Sequence, residues 1–365
     1  MLCSKQSAAE VPLRRAPSFS PLRGQTGRVI GHRLAAGLLL VGGLGPVPLL
    51  PTAASGAAVH LHQDAREARH DAWVAVSVAT LWRSPDSPRS VDSPALQNPA
   101  RITRWLDDLT TEQRRALSGR ADTQALLGDR VVVLRERGAW TRIAVPDQPQ
   151  PGSPHGYRGW VPSRQLTSVH PTPAADRATV VTRLTWLHND DDAAHRREHV
   201  SFGTSLPVLG TVGDWVRVAL PGGTARRVPA GSVAVHPRDE GALPATRAGL
   251  VASARMFLGL DYLWAGRSGF GVDCSGLTSL VHEVHGQRIP RDARPQSQSG
   301  SAVAGALHRG DLLFYATEGL VHHVSMYVGR GRMIHSPRTG STVAIIATST
   351  PAYATEYAGA RSYLL

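Results

Sequence analysis

Two stretches of this chain carry the same pattern. Leu127-Gly128, Val133-Leu134, Gly138, Trp140 and Arg142 recur, at one constant offset, as Phe202-Gly203, Val208-Leu209, Gly213, Trp215 and Arg217. Val161-Pro162 and Val228-Pro229 close the two copies. Within each copy, short runs of β-forming residues are broken by glycine, proline and aspartate, as in short strands joined by tight turns. Each copy is therefore expected to be a small β-barrel, the first over 72–169 and the second over 174–237. Residues 146–156, PDQPQPGSPHG, read as a loop inside the first copy, and 238–244 as a linker to the C-terminal third of the chain.

Beyond the linker, residues 262–286 read YLWAGRSGFGVDCSGLTSLVHEVHG. Leu277, Leu280, Val281 and Val284 fall at helical spacing, and Gly286 is a helix stop. Asp273 is then the N-cap and Cys274 lies in the first turn, where the positive end of the helix dipole favours a thiolate. A lone cysteine on an apolar helix face is ordinarily a packing residue. The glycine-rich approach, the cap position and the histidines downstream argue for chemistry instead.

His323 opens HVSMYV, an alternating run typical of a half-buried strand, and residues 332–335, RMIH, read as its returning partner across Gly329-Arg330-Gly331. If that turn is a three-residue loop, Val328 opposes Arg332 and Ser325 opposes His335. His323 and His335 then share a face as diagonal neighbours. A two- or four-residue loop would put them on opposite faces. A nucleophile, a base and a group that holds the base in one tautomer are what acyl transfer requires.

The chain's 42% hydrophobic and 19% charged residues suit two or three globular domains. Residues 1–58, with an apolar run at 34–50 that Pro46 and Pro48 interrupt, read as a secretory leader with a basic n-region; 59–71 reads as a linker. Removal of the leader would take Cys3 with it and leave one thiol and no possible internal disulfide. No stable membrane anchor is expected, and the protein is placed outside the cytoplasm, secreted or in the cell envelope. The net charge of +12 suits an anionic envelope polymer as partner, or simply a solvated basic surface. Nucleic acid is disfavoured, because the arginines are scattered and only 5% of residues are aromatic. His60, His62 and His70 lie in linker-like sequence, and His282 to His285, HEVH, lacks the HExxH spacing of zinc peptidases. No metal and no organic cofactor is expected.

Residues 245–365 resemble the NlpC-type cell-wall cysteine peptidases, which have a compact papain-like fold. The resemblance rests on DYLWAG (261–266), DCSG (273–276), IPRDA (289–293), GDLLFY (310–315), HVSMYVG (323–329) and MIHSP (333–337), in the family's order. It implies Cys274 as nucleophile, His323 as base and His335 as the residue that orients it. It also sets Tyr262, Asp273 and Ser275 beside the nucleophile. Ala265 stands where a second glycine is common and Ala293 where a serine is frequent. GDRVVVLRERGAWTRIAV and YRGWVP resemble bacterial SH3-type domains, so the whole is expected to be α+β, with two barrels ahead of the peptidase.

That arrangement, with ADTQALLGD (121–129) and GYRGWVP (156–162), is similar to one subgroup, the γ-D-glutamyl-L-diamino acid endopeptidases. The resemblance implies that the first barrel closes one end of the cleft and recognises the free amino group of an N-terminal L-alanine. Tyr157 matches the subgroup's tyrosine, Asp122 is a candidate acidic partner, and Trp264 and Asp292 match substrate-side positions. The implied partner is peptidoglycan or the muropeptides derived from it, with no protein partner. Alternatives are cleavage of intact wall stems with the barrels as anchors, a non-catalytic wall-binding protein, or an amidase or acyltransferase on the same fold.

Overall fold

The computed structural model describes residues 69–364. The leader and His60 and His62 lie outside them.

The repeat folds as two seven-stranded antiparallel sheets with one shared strand order. In the first, the order is Ala121–Leu126, Val78–Trp82, Tyr157–Pro162, Trp140–Val145, Arg130–Arg137, His70–Val74 and Leu166–Thr167. The second runs Arg196–Ser201, Leu184–Asn189, Ala225–Pro229, Trp215–Ala219, Ser205–Val212, Asp176–Val180 and Val233–Pro237, the same permutation. Pro162 and Pro229 end equivalent strands, and each starts a 3₁₀ turn with φ −58° and ψ 129°. Proline fixes φ there and lacks the N–H that a continuing ladder would need. Alternate residues point inward, giving one core of Val74, Leu81, Val131, Ile143 and Val161 and another of Val180, Leu187, Leu206, Val216 and Val228.

The first unit is not all β, as the repeat alone implies. Between Val78–Trp82 and Ala121–Leu126 it carries Ser90–Leu96, Ile102–Asp108 and Thr111–Arg115 as short helical turns. Ile102, Trp105, Leu106 and Leu109 present one apolar face, and Thr110 and Gln113 form a reciprocal capping box. Trp105 is buried edge-on to Trp82 at 6.2 Å and donates from Nε1 to Asp92 at 2.9 Å.

The remaining residues build a helix, Cys274–Val284, against a six-stranded antiparallel sheet. Its central strands are Leu312–Thr317, Leu320–Gly329 and Arg332–His335. Asp273 caps the helix by accepting from the Gly276 N–H at 2.7 Å. Gly286, at φ +79°, takes the left-handed conformation that ends it. Leu277, Leu280, Val281 and Val284 join Leu312, Phe314, Val324 and Met326 in one core. Trp82, Trp105 and Leu126 of the first unit and Phe202 of the second belong to that same cluster. Residues 238–244 are packed rather than free: the Leu243 N–H donates to Val284 O at 3.1 Å.

The Ala121–Leu126 strand forms the seam with the helical domain. Trp264 Nε1 donates to Ala121 O at 2.8 Å, and Gln124 Oε1 accepts from the Arg267 N–H at 3.0 Å and from Ser268 Oγ at 2.9 Å. Gln124 is 1% exposed, so these bonds are made away from water.

Candidate active site

Cys274 is the first residue of its helix and is half-buried. Its own N–H has no partner within the helix, because the first turn lacks residues to bond to. The strand bearing His323 returns through Arg330 and Gly331, at φ +54° and +65°, in a two-residue turn. Gly329 opposes Arg332, whereas a three-residue loop would have set Val328 there. A two-residue turn alone would separate the histidines. Val328 corrects it: the register shifts between Tyr327 and Gly329, and Tyr327 pairs with Met333 and Met326 with Ile334. The bulge supplies the missing residue. His323 Nε2 and His335 Nδ1 lie 3.1 Å apart, with the rings edge to face.

Both rings are nearly enclosed, His323 at 6% and His335 at 3% exposure. Tyr353 packs on both, 5.5 Å from the first centroid and 4.9 Å from the second. Burial and the neighbouring His335 push His323 down to about 3, and burial alone takes His335 to about 4. Burial, then the Asp273 carboxylate, push the Cys274 thiol up to about 12 against the N–H groups of Val324 and Ser275. Burial thus favours the neutral form of each of these side chains. Tyr262, 7% exposed, has its hydroxyl pushed up by burial and by the charges of Asp273 and Cys274, so it stays a donor.

Asp273 and Ser275 are held by a residue that the sequence alone does not single out. The Arg291 guanidinium, 1% exposed, donates to Asp273 Oδ1 at 3.0 Å and Oδ2 at 2.7 Å, and to Ser275 Oγ at 2.9 Å. Its Nε donates to Thr123 Oγ1 of the first unit at 2.8 Å. One side chain thus ties the cap of the Cys274–Val284 helix to the seam strand. Its position in IPRDA is visible in the sequence, but its partners come from elsewhere in the chain.

Tyr157, 7% exposed, donates its hydroxyl to Asp292 Oδ2 at 3.0 Å. Burial raises the Asp292 carboxyl while the Arg291 charge opposes it. Asp122 does not bond Tyr157; it accepts from Arg83 Nε at 2.8 Å. Trp264 stays 36% exposed at the seam. Ala293 is buried, and Ala265 holds φ +63°, a left-handed conformation that costs a residue with a Cβ roughly 1–2 kcal/mol. The HEVH histidines are structural: His282 Nδ1 contacts Thr278 O at 2.8 Å, and His285 spans Pro244 O at 2.6 Å and Ser253 Oγ at 2.9 Å.

A thiol at a helix start, facing a strand pair that carries two bonded histidines, is the layout of a papain-like cysteine peptidase. Residues 259–362 match the NlpC/P60 family, and residues 180–236 match the YKFC SH3b2 domain. The chain is 42% identical over 305 residues to a gamma-D-glutamyl-L-lysine dipeptidyl-peptidase of Bacillus cereus, covering 80% of this chain and 91% of that one. To the Bacillus subtilis protein of the same name it is 34% identical over 291 residues, 78% of this chain and 96% of the relative. A crystal structure of an NlpC/P60 family protein from Bacillus cereus superposes with a TM-score of 0.78 at 39% identity, over 81% of this chain and all (100%) of that one. The chain belongs to the NlpC/P60 family of cysteine peptidases.

Proposed function

We propose that this protein hydrolyses the γ-D-glutamyl bond to a diamino acid in peptides released from peptidoglycan, and that it acts outside the cytoplasm. The observation that carries the reading is the junction of two sites: the Cys274 helix cap and the Tyr157–Asp292 bond meet at Arg291. A peptide lying across that junction would place a terminal amine near Tyr157 and Asp292 and its γ-carbonyl near Cys274. The names of the two Bacillus relatives support the same bond.

For His323 to act as base, Nδ1 must be unprotonated and Nε2–H must donate to His335 Nδ1. As substrate docks, the Cys274 proton passes to His323 Nδ1, and the sulfur attacks the γ-carbonyl carbon. The carbonyl oxygen becomes an oxyanion held by the Cys274 N–H and the Tyr262 hydroxyl. Collapse breaks the C–N bond; the amine leaves with the proton from His323, and a thioester remains. Water, deprotonated by His323, attacks the thioester, and the thiol regains its proton. The products are L-Ala-D-Glu and the free diamino acid end.

A buried ammonium needs a polar or anionic partner, and a site built for it rejects a blocked amine. Digestion of L-Ala-γ-D-Glu-L-Lys beside its N-acetylated form tests the reading. The free peptide should be cut far faster, and Cys274→Ala should cut neither. Equal rates on both peptides would instead favour cleavage of intact stems.

A further inference from the structure

Resting on that substrate reading, we infer that Arg83 competes with the substrate's ammonium for Asp122 and so tempers the preference for a free amine. Three observations carry this. Asp122, the acidic group expected to meet the amine, is already bonded by Arg83 Nε at 2.8 Å. The two groups differ in freedom: the Arg83 side chain is 54% exposed and the Asp122 side chain 21%. Arg83 is anchored through its backbone, its N–H donating to Arg120 O at 2.9 Å, while among the described residues its guanidinium bonds only Asp122.

The surroundings make the carboxylate worth competing for. Besides Asp122, Arg83 feels the nearby Asp292 carboxylate and Tyr157 hydroxyl, so it lies close to both. Asp292 is engaged by Tyr157 and lies 3.9 Å from Arg291, which leaves it partly neutralised. Among the described residues, the Asp122 carboxylate is bonded by Arg83 alone. An exposed arginine–carboxylate pair is weak and gives way to a ligand of equal charge. Arg83 can swing into solvent on its flexible stem, and the incoming ammonium takes its place. A blocked amine carries no charge and cannot displace it. The resting site is thus kept free of an unpaired carboxylate, at the expense of affinity for the correct substrate.

The test compares Arg83→Ala with the wild type on L-Ala-γ-D-Glu-L-Lys and its N-acetylated form, in wild-type and Asp122→Asn backgrounds. Removing the competitor should lower KM for the free peptide by about two- to fivefold, the range an exposed pair spans. The preference for the free over the blocked peptide should rise by the same factor. In the Asp122→Asn background the effect of Arg83→Ala on KM should vanish, as required of two groups coupled only through each other. A merely structural role for Arg83 would slow both peptides alike. An unchanged or raised KM in Arg83→Ala, or an effect that survives Asp122→Asn, overturns the inference. If the wild type cuts both peptides equally, the amine-recognition reading itself fails.

Discussion

Arg291→Met provides the most demanding test of the coupling between barrel and nucleophile helix. The methionine fills much of the buried volume but removes the charge and four hydrogen bonds, to Asp273 Oδ1 and Oδ2, Ser275 Oγ and Thr123 Oγ1. Asp273 Oδ1 keeps the Gly276 N–H, but Oδ2 loses its guanidinium partner while the side chain stays 11% exposed. Breaking a buried pair from one side typically costs about 3–5 kcal/mol, because the remaining charge is left uncompensated. Removing both charges is far less damaging. Arg291→Met combined with Asp273→Asn should therefore recover most of the loss, since asparagine still caps the helix. Urea unfolding followed by tryptophan fluorescence would show the single variant lower by about 4 kcal/mol and the double variant lower by only about 1–2 kcal/mol. Iodoacetamide labelling of Cys274 should slow in the single variant, because Arg291 is the cation that offsets Asp273 at the thiol. A single variant within about 1 kcal/mol of wild type, or a double variant no better than the single, would refute the reasoning.

Gly203, at φ +89°, lies where a Cβ would come 2.7 Å from Leu280 Cδ1 on the nucleophile helix. Gly203→Ala should lower stability by about 2–4 kcal/mol through left-handed strain and overpacking, and a melting temperature equal to wild type would count against that contact. His282 is fully buried, and burial lowers its pKa from 6.5 to about 4. The unfolded chain takes up this proton near pH 6.5 while the fold refuses it until about 4, so the contribution is complete above 6.5 and lost as pH falls through 4. The stability margin of wild type over His282→Gln should therefore narrow across that window; a margin independent of pH would argue against a neutral buried ring. Cys274→Ala should abolish hydrolysis with an unchanged unfolding midpoint, and residual turnover in that variant would remove the sulfur from the reaction.

The repeat makes both barrels legible because strand, turn and proline positions are local properties, and two copies with one strand order repeat them. The nucleophile helix is equally plain, from its cap, its apolar spacing and its glycine stop. The helical turns of the first unit escape a reading based on the repeat, although Ile102, Trp105, Leu106 and Leu109 carry the right spacing. A repeat draws attention to shared features and away from an insertion. The histidine pair is legible only conditionally, since the face of a strand depends on a turn length that glycine and arginine leave open. Arg291 and Gln124 are not legible. Their partners lie far off in sequence, and only packing reveals that a buried arginine holds the cap.

The Val328 bulge makes the contact between the two histidines a question of parity. Turn and bulge together decide whether the second imidazole faces inward or outward, and each is a single-residue choice. Loss or gain of one residue in this short ribbon would turn His335 away from His323 while leaving both residues in the gene. The length of this segment therefore matters to the pairing as much as the identity of the histidines themselves.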